Sequence, residues 1–126
     1  MGIFFHHVMR RYNKRADALA NRALDSGNES RWYHKGLRAL YQTMLEGETE
    51  CIFIQARFDG AYRRKTCRSA IGVAIELAFV AGGSRPLFDL ALEINSQNSY
   101  EAELSAAARA ITECRHLYTK LHISSF

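Results

Sequence analysis

Apolar residues near the start of the chain recur at helical spacing: Ala16, Leu19, Ala20, Ala23 and Leu24 fall on one face. Asn13 suits an N-cap, and Asp25-Ser26-Gly27-Asn28 is a stop signal, so a helix is expected from Asn13 to about Leu24. A second helical stretch, 33–45, places Leu37, Leu40, Tyr41 and Met44 together, and the acidic run 46–50 reads as a linker. From residue 51 the period changes to two. Ile52, Ile54, Ala56 and Phe58 alternate with Phe53, Gln55, Arg57 and Asp59, which predicts a strand over 51–59. Gly60, Ala61 and the basic tract Arg63-Arg64-Lys65 read as the turn that follows. In the next predicted strand, 69–80, Ile71, Val73, Ile75, Leu77 and Phe79 share one face. The small residues Ala70, Gly72, Ala74 and Ala78 share the other. A glycine-rich turn leads to a third strand over 87–94 and a polar loop. A long helix is expected over 99–117, with Leu104, Ala107, Ala108, Ile111 and Cys114 as its buried stripe and Asn98 and Glu101 as a capping box. The last residues, 120–125, look like a short strand.

These elements predict a mixed α/β architecture in two parts, a helical segment with linker (1–50) and a strand-and-helix segment (51–126). The three strands form an antiparallel meander, and the strand at 120–125 is expected to pair parallel with the first. The first helix is expected to pack on this sheet and carry Asp17 toward Asp59.

Composition narrows the classes. At 126 residues the chain makes one domain. It has no apolar run long enough to span a bilayer, so an intracellular protein, cytoplasmic or nuclear, is expected. Cys51, Cys67 and Cys114 are odd in number and far apart, which argues against a zinc site or a disulfide framework. The net charge of +4 favours polyanionic partners without requiring them.

Three carboxylates stand out. Asp59 ends an apolar strand, where a charge is costly unless it is paired or metal-bound. Followed by glycine, it also reads as a turn residue. Glu103 lies near the start of the long helix, where acids are favoured by the macrodipole. Asp17 lies one turn into the first helix, within reach of Arg10, Arg11 or Lys14 as an ordinary surface pair.

The words around these residues resemble a known family. Arg57-Phe58-Asp59-Gly60-Ala61 resembles the first-strand motif of type 1 ribonucleases H. Asn98-Ser99-Tyr100-Glu101-Ala102-Glu103-Leu104 resembles the start of that family's first helix, with its metal-binding Glu at Glu103. Residues 7–21 resemble the family's C-terminal signature, keeping His7, Asn13 and Asp17 in spacing, and are closest to plant-type and retrotransposon-derived members. The resemblance implies a ribonuclease H-like sheet and hydrolysis of the RNA strand of RNA–DNA hybrids with Mg²⁺ or Mn²⁺. It also implies Asp59, Glu103 and Asp17 as metal ligands, with His7 assisting catalysis. Asn13, Arg63, Arg64, Lys65 and Asn98 would contact nucleic acid.

The order of these segments departs from the family. The His-Asn-Asp helix comes first here rather than last, which fits either a circular permutation or the junction of two tandem domains. The segment matching the family's fourth strand, 121–126, contains no carboxylate. Tyr62, Arg63, Arg64 and Lys65 replace the small residues that the family places after Asp-Gly. Two further expectations follow: a homodimer formed by domain exchange, and a catalytically degenerate, retroelement-derived nucleic-acid-binding module.

Overall fold

The computed structural model describes residues 13–33, 51–79 and 83–124. The helix expected over 33–45 (apart from Tyr33), the linker 46–50 and His7 lie outside them. Among the described residues the order is α1 (Lys14–Ser26), β1 (Ser30–Tyr33), β2 (Cys51–Arg63), β3 (Arg68–Phe79), β4 (Ser84–Ile94) and α2 (Ser99–Ser124). The strands form one open sheet in the order β1-β4-β3-β2, antiparallel throughout.

The expected meander is present as β2-β3-β4, but the expected parallel strand is not. Residues 120–124 are the last turn of α2. No glycine or proline follows Ser99, so nothing local stops the helix at residue 117. The fourth strand is instead β1, which pairs antiparallel with β4 at the opposite edge. The expected turn at Gly60–Lys65 is also displaced. Gly60 to Arg63 continue β2 and pair with Ile71 to Arg68, and the turn spans 64–67. It closes through the Thr66 N–H donating to the Arg63 carbonyl at 3.3 Å, with Cys67 at φ 53°.

The two faces of β3 sort the helices. Ala70 and Ala74 pack with Leu19, Ala23 and Leu24 of α1. Val73, Ile75 and Leu77 face the other way, with Phe88, Leu90, Ala110 and Leu117. The sheet is therefore sandwiched, α1 on its small-residue face and α2 on its large-residue face. Both helices approach through glycine. A Cβ on Gly72 would strike the Ala16 carbonyl oxygen and lie 2.7 Å from the Ala20 nitrogen. A Cβ on Gly60 would lie 2.5 Å from both the Ala102 carbonyl oxygen and the Glu103 nitrogen.

This close approach explains a second difference. The α2 face turned inward carries Ala102, Ala106, Ala110, Glu113 and Leu117. Only alanine-sized residues fit near Gly60. Of the expected stripe, Leu104 is 53% exposed, Ala108 is exposed, and Ala107, Ile111 and Cys114 are half-buried. The α1 stripe is buried as expected.

Caps set where the helices begin and end. Gly27, left-handed at φ 70°, donates its N–H to the Ala23 carbonyl at 2.8 Å and ends α1. At α2, the Glu101 N–H donates to Asn98 Oδ1 at 2.8 Å. Glu101 Oε2 accepts the Gln97 N–H at 2.7 Å, so the expected box closes one residue earlier than Asn98. Buried Ser69 ties the start of β3 to this loop, donating to the Ile94 carbonyl at 3.0 Å and accepting the Ser96 N–H at 3.1 Å.

Glu113, 3% exposed, is held by Arg31 of β1 at 3.2 and 3.3 Å and by Arg109 at 3.1 Å. The Arg31 guanidinium also lies 5.5 Å from the Phe88 ring centroid. The carboxylate thus anchors a four-residue edge strand to α2. Glu113→Ala strands two arginines that are partly exposed and can rehydrate. The expected loss is about 1–3 kcal/mol, below the usual figure for a fully buried pair, and urea denaturation measures it.

Candidate functional site

Asp59 lies in β2 opposite Gly72, on the face that carries α1. Because Gly72 lets the helix backbone down onto the sheet, the first turn of α1 arrives beside Asp59 and brings Asp17 with it. Asn13 secures this end. It occupies the N-cap position, but its side chain makes no cap bond. Its Nδ2 instead donates to the Phe58 carbonyl at 2.9 Å, bridging α1 to the residue before Asp59. From the other side of the sheet, Gly60 seats the first turns of α2, so the Glu103 backbone lies against the residue after Asp59.

Of the three carboxylates suggested by the sequence, Asp17 comes beside Asp59, and Glu103 acts on it at longer range. The electrostatics of Asp59 record this. Burial, a hydrogen bond with Asp17, the charge of Asp17 and the charge of Glu103, in that order, push its carboxyl up to about 6. The Gly60 N–H pulls it partly back. Asp17 lies within hydrogen-bond reach of Asp59, whereas Glu103 acts through its charge alone. Among the described residues, no group of three or more His, Cys, Asp or Glu is arranged to hold a metal ion. The site is a carboxyl pair with a third acid at longer range, and its hard oxygen donors match Mg²⁺ or Mn²⁺ in chemical type.

A raised carboxyl pKa has a definite consequence for stability. The folded state holds the proton more tightly than the unfolded chain. The associated stabilisation is complete below about pH 4 and is lost as pH rises through about 6. At neutral pH the gathered charges work against folding. Asp59→Asn, which removes the charge, is expected to raise stability at pH 7.5 by about 1–2 kcal/mol, allowing for solvent screening. The gain should vanish near pH 4. Denaturation of both proteins at the two pH values measures it.

The other sequence candidates are distributed as follows. Arg63 pairs with Asp25 at 2.7 Å and reaches Asn21 at 3.5 Å. Asn21 in turn donates to Asp17 Oδ1 at 3.3 Å, so a polar chain links Arg63 to the carboxyl pair. Asn21 sits one helical turn after Asp17 and closes the stretch 7–21, the two sequence signals that could have marked it. Arg64 and Lys65 are exposed in the β2–β3 turn. Asn98 caps α2. Cys67 is exposed and free. Cys114 is a half-buried free thiol, pushed up to about 11 chiefly by burial. No helix among the described residues is long and apolar enough to cross a membrane. Comparison with protein-family models, curated proteins and solved structures returns no match for the chain.

Proposed function

We propose that the chain is a ribonuclease H-like, divalent-metal-dependent endonuclease that hydrolyses the RNA strand of RNA–DNA hybrids. One observation carries the reading: acids from both helices, Asp17 and Glu103, act on Asp59 of β2 and hold its carboxyl above its ordinary range, as functional sites commonly do. The resemblance of residues 7–21, 57–61 and 98–104 to type 1 ribonucleases H supports the substrate class. A bound Mg²⁺ or Mn²⁺ supplies Lewis-acid activation of a water and of the phosphodiester. Asp59 and Asp17 would hold it, with Glu103 adding negative charge from longer range. Arg64 and Lys65, exposed in the turn that continues β2, would meet substrate phosphates. Arg63 is engaged with Asp25 and contributes by orienting Asn21 and Asp17.

The second reading is a non-catalytic, retroelement-derived nucleic-acid-binding module. It is favoured by the separation of Glu103 from the carboxyl pair. Incubating a labelled hybrid with the purified chain in Mg²⁺, Mn²⁺ or chelator separates the two. Metal-dependent cleavage supports the nuclease. Salt-sensitive binding without cleavage supports the module.

A further inference from the structure

The apolar stripe of α2 that the sheet leaves uncovered has a regular spacing. Tyr100, Leu104, Ala107, Ile111 and Cys114 are separated by four, three, four and three residues, the repeat of a coiled-coil seam. Tyr100 is 67% and Leu104 53% exposed, while Ala107, Ile111 and Cys114 are half-buried. The seam runs for about 20 Å at 1.5 Å per residue. At its end Cys114 packs against the same buried core as Ile54, Ala56 and Phe58 of β2. The β1 side is taken by Arg31, Arg109 and Glu113.

We infer that this seam docks against the same seam of a second copy, the two α2 helices running antiparallel. Charge selects that occupant and that direction. The residues flanking the seam are acidic at its start, Glu101 and Glu103, and basic at its end, Arg115. Glu101, Glu103 and Arg115 are all exposed. A parallel pair would set like against like. The antiparallel pair sets Glu101 of each copy near Arg115 of the other and opposes the helix macrodipoles. In that register Leu104 faces Cys114 of the second copy, Ala107 faces Ile111, and exposed Ala108 lets the helices approach closely at the centre. The seam contains none of the three carboxylates, only Glu103 borders it, and the dimer is read without metal or substrate, so its test is separate from that of the nuclease reading.

Sedimentation equilibrium of the full chain from low to high micromolar concentration tests the inference. A dimer is expected, weakened at least about a hundredfold by Leu104→Arg, a change at an exposed position that leaves the fold intact by circular dichroism. Arg115→Glu should weaken it too, and adding Glu101→Lys should restore it. Ala108→Cys, at the exposed centre of the antiparallel pair, should link to its own counterpart under mild oxidation, read by peptide mapping, whereas Leu104→Cys should not link to itself. A monomer throughout, a dimer indifferent to Leu104→Arg, or a link from 104 to 104 would each overturn the proposal.

Discussion

Asp59→Asn is expected to abolish metal-dependent cleavage of an RNA–DNA hybrid while making the protein more stable at neutral pH. The two effects share one origin. Asp59 stands where Asp17 and Glu103 both act on it, and its carboxyl is pushed up to about 6 as a result. The amide keeps the shape, removes the charge and loses the affinity of a hard oxygen ligand for a hard cation. If the cation supplies about 4 kcal/mol of transition-state stabilisation, the rate falls by roughly a thousandfold or more. The same change relieves the repulsion among three acids, so the denaturation midpoint rises at pH 7.5 and not at pH 4. Loss of activity with a gain of stability distinguishes removal of a functional charge from damage to the fold, which would lower both.

The largest effect on stability is expected from filling the two glycine contacts. Gly72→Ala forces a Cβ against the Ala16 carbonyl oxygen, and Gly60→Ala against the backbone of Ala102 and Glu103. In each case the obstacle is helix backbone, which cannot rotate away as a side chain can. The helix must lift, and the alanine contacts around it open. Each substitution should cost about 2–4 kcal/mol, offset only slightly by the reduced freedom of the unfolded chain. Gly27→Ala is the control. Its Cβ would meet only the far end of the Arg68 side chain at 3.8 Å, so the cost is backbone strain at φ 70°, about 1 kcal/mol. Gly60→Ala has a second expected effect. By moving the start of α2 it withdraws the Glu103 charge, and the Asp59 carboxyl should fall slightly, burial and Asp17 still holding it up. Urea denaturation and carboxyl titration measure the two effects separately.

What the sequence disclosed follows from how local each signal was. The α1 stripe and the two-faced alternation of β3 are periodic within a single element, and both are buried as the period requires. The approach of Asp17 to Asp59 was an expectation that no pattern in the residues fixed, because the glycine contact that sets it, Gly72 under Ala16 and Ala20, joins elements far apart in the chain. The inward face of α2 was not legible either. Hydrophobicity pointed to Leu104 and Ile111, whereas the geometry at Gly60 selected Ala102, Ala106 and Ala110. Size governed that contact, and size matters only once the partner's shape is known. Asp59-Gly60 read as a turn because the dipeptide favours one, yet Gly60 is a strand residue kept small for a helix across the sheet. Edge strand β1 has only four residues, and its pairing with β4 and the Arg31–Glu113 anchor join parts of the chain far apart in sequence. Buried Glu113 could not be told from any helix-surface acid without those partners.

The central claim is that Asp17, Asp59 and Glu103 form one charge-coupled site that accepts a divalent cation. Carbon-13 NMR titration of the Asp59 carboxyl, with and without Mg²⁺, tests it most directly. The expected midpoint is about 6 in the absence of the cation, falling with Mg²⁺ below the ordinary aspartate value of about 3.9. A midpoint near that ordinary value under both conditions would contradict the claim.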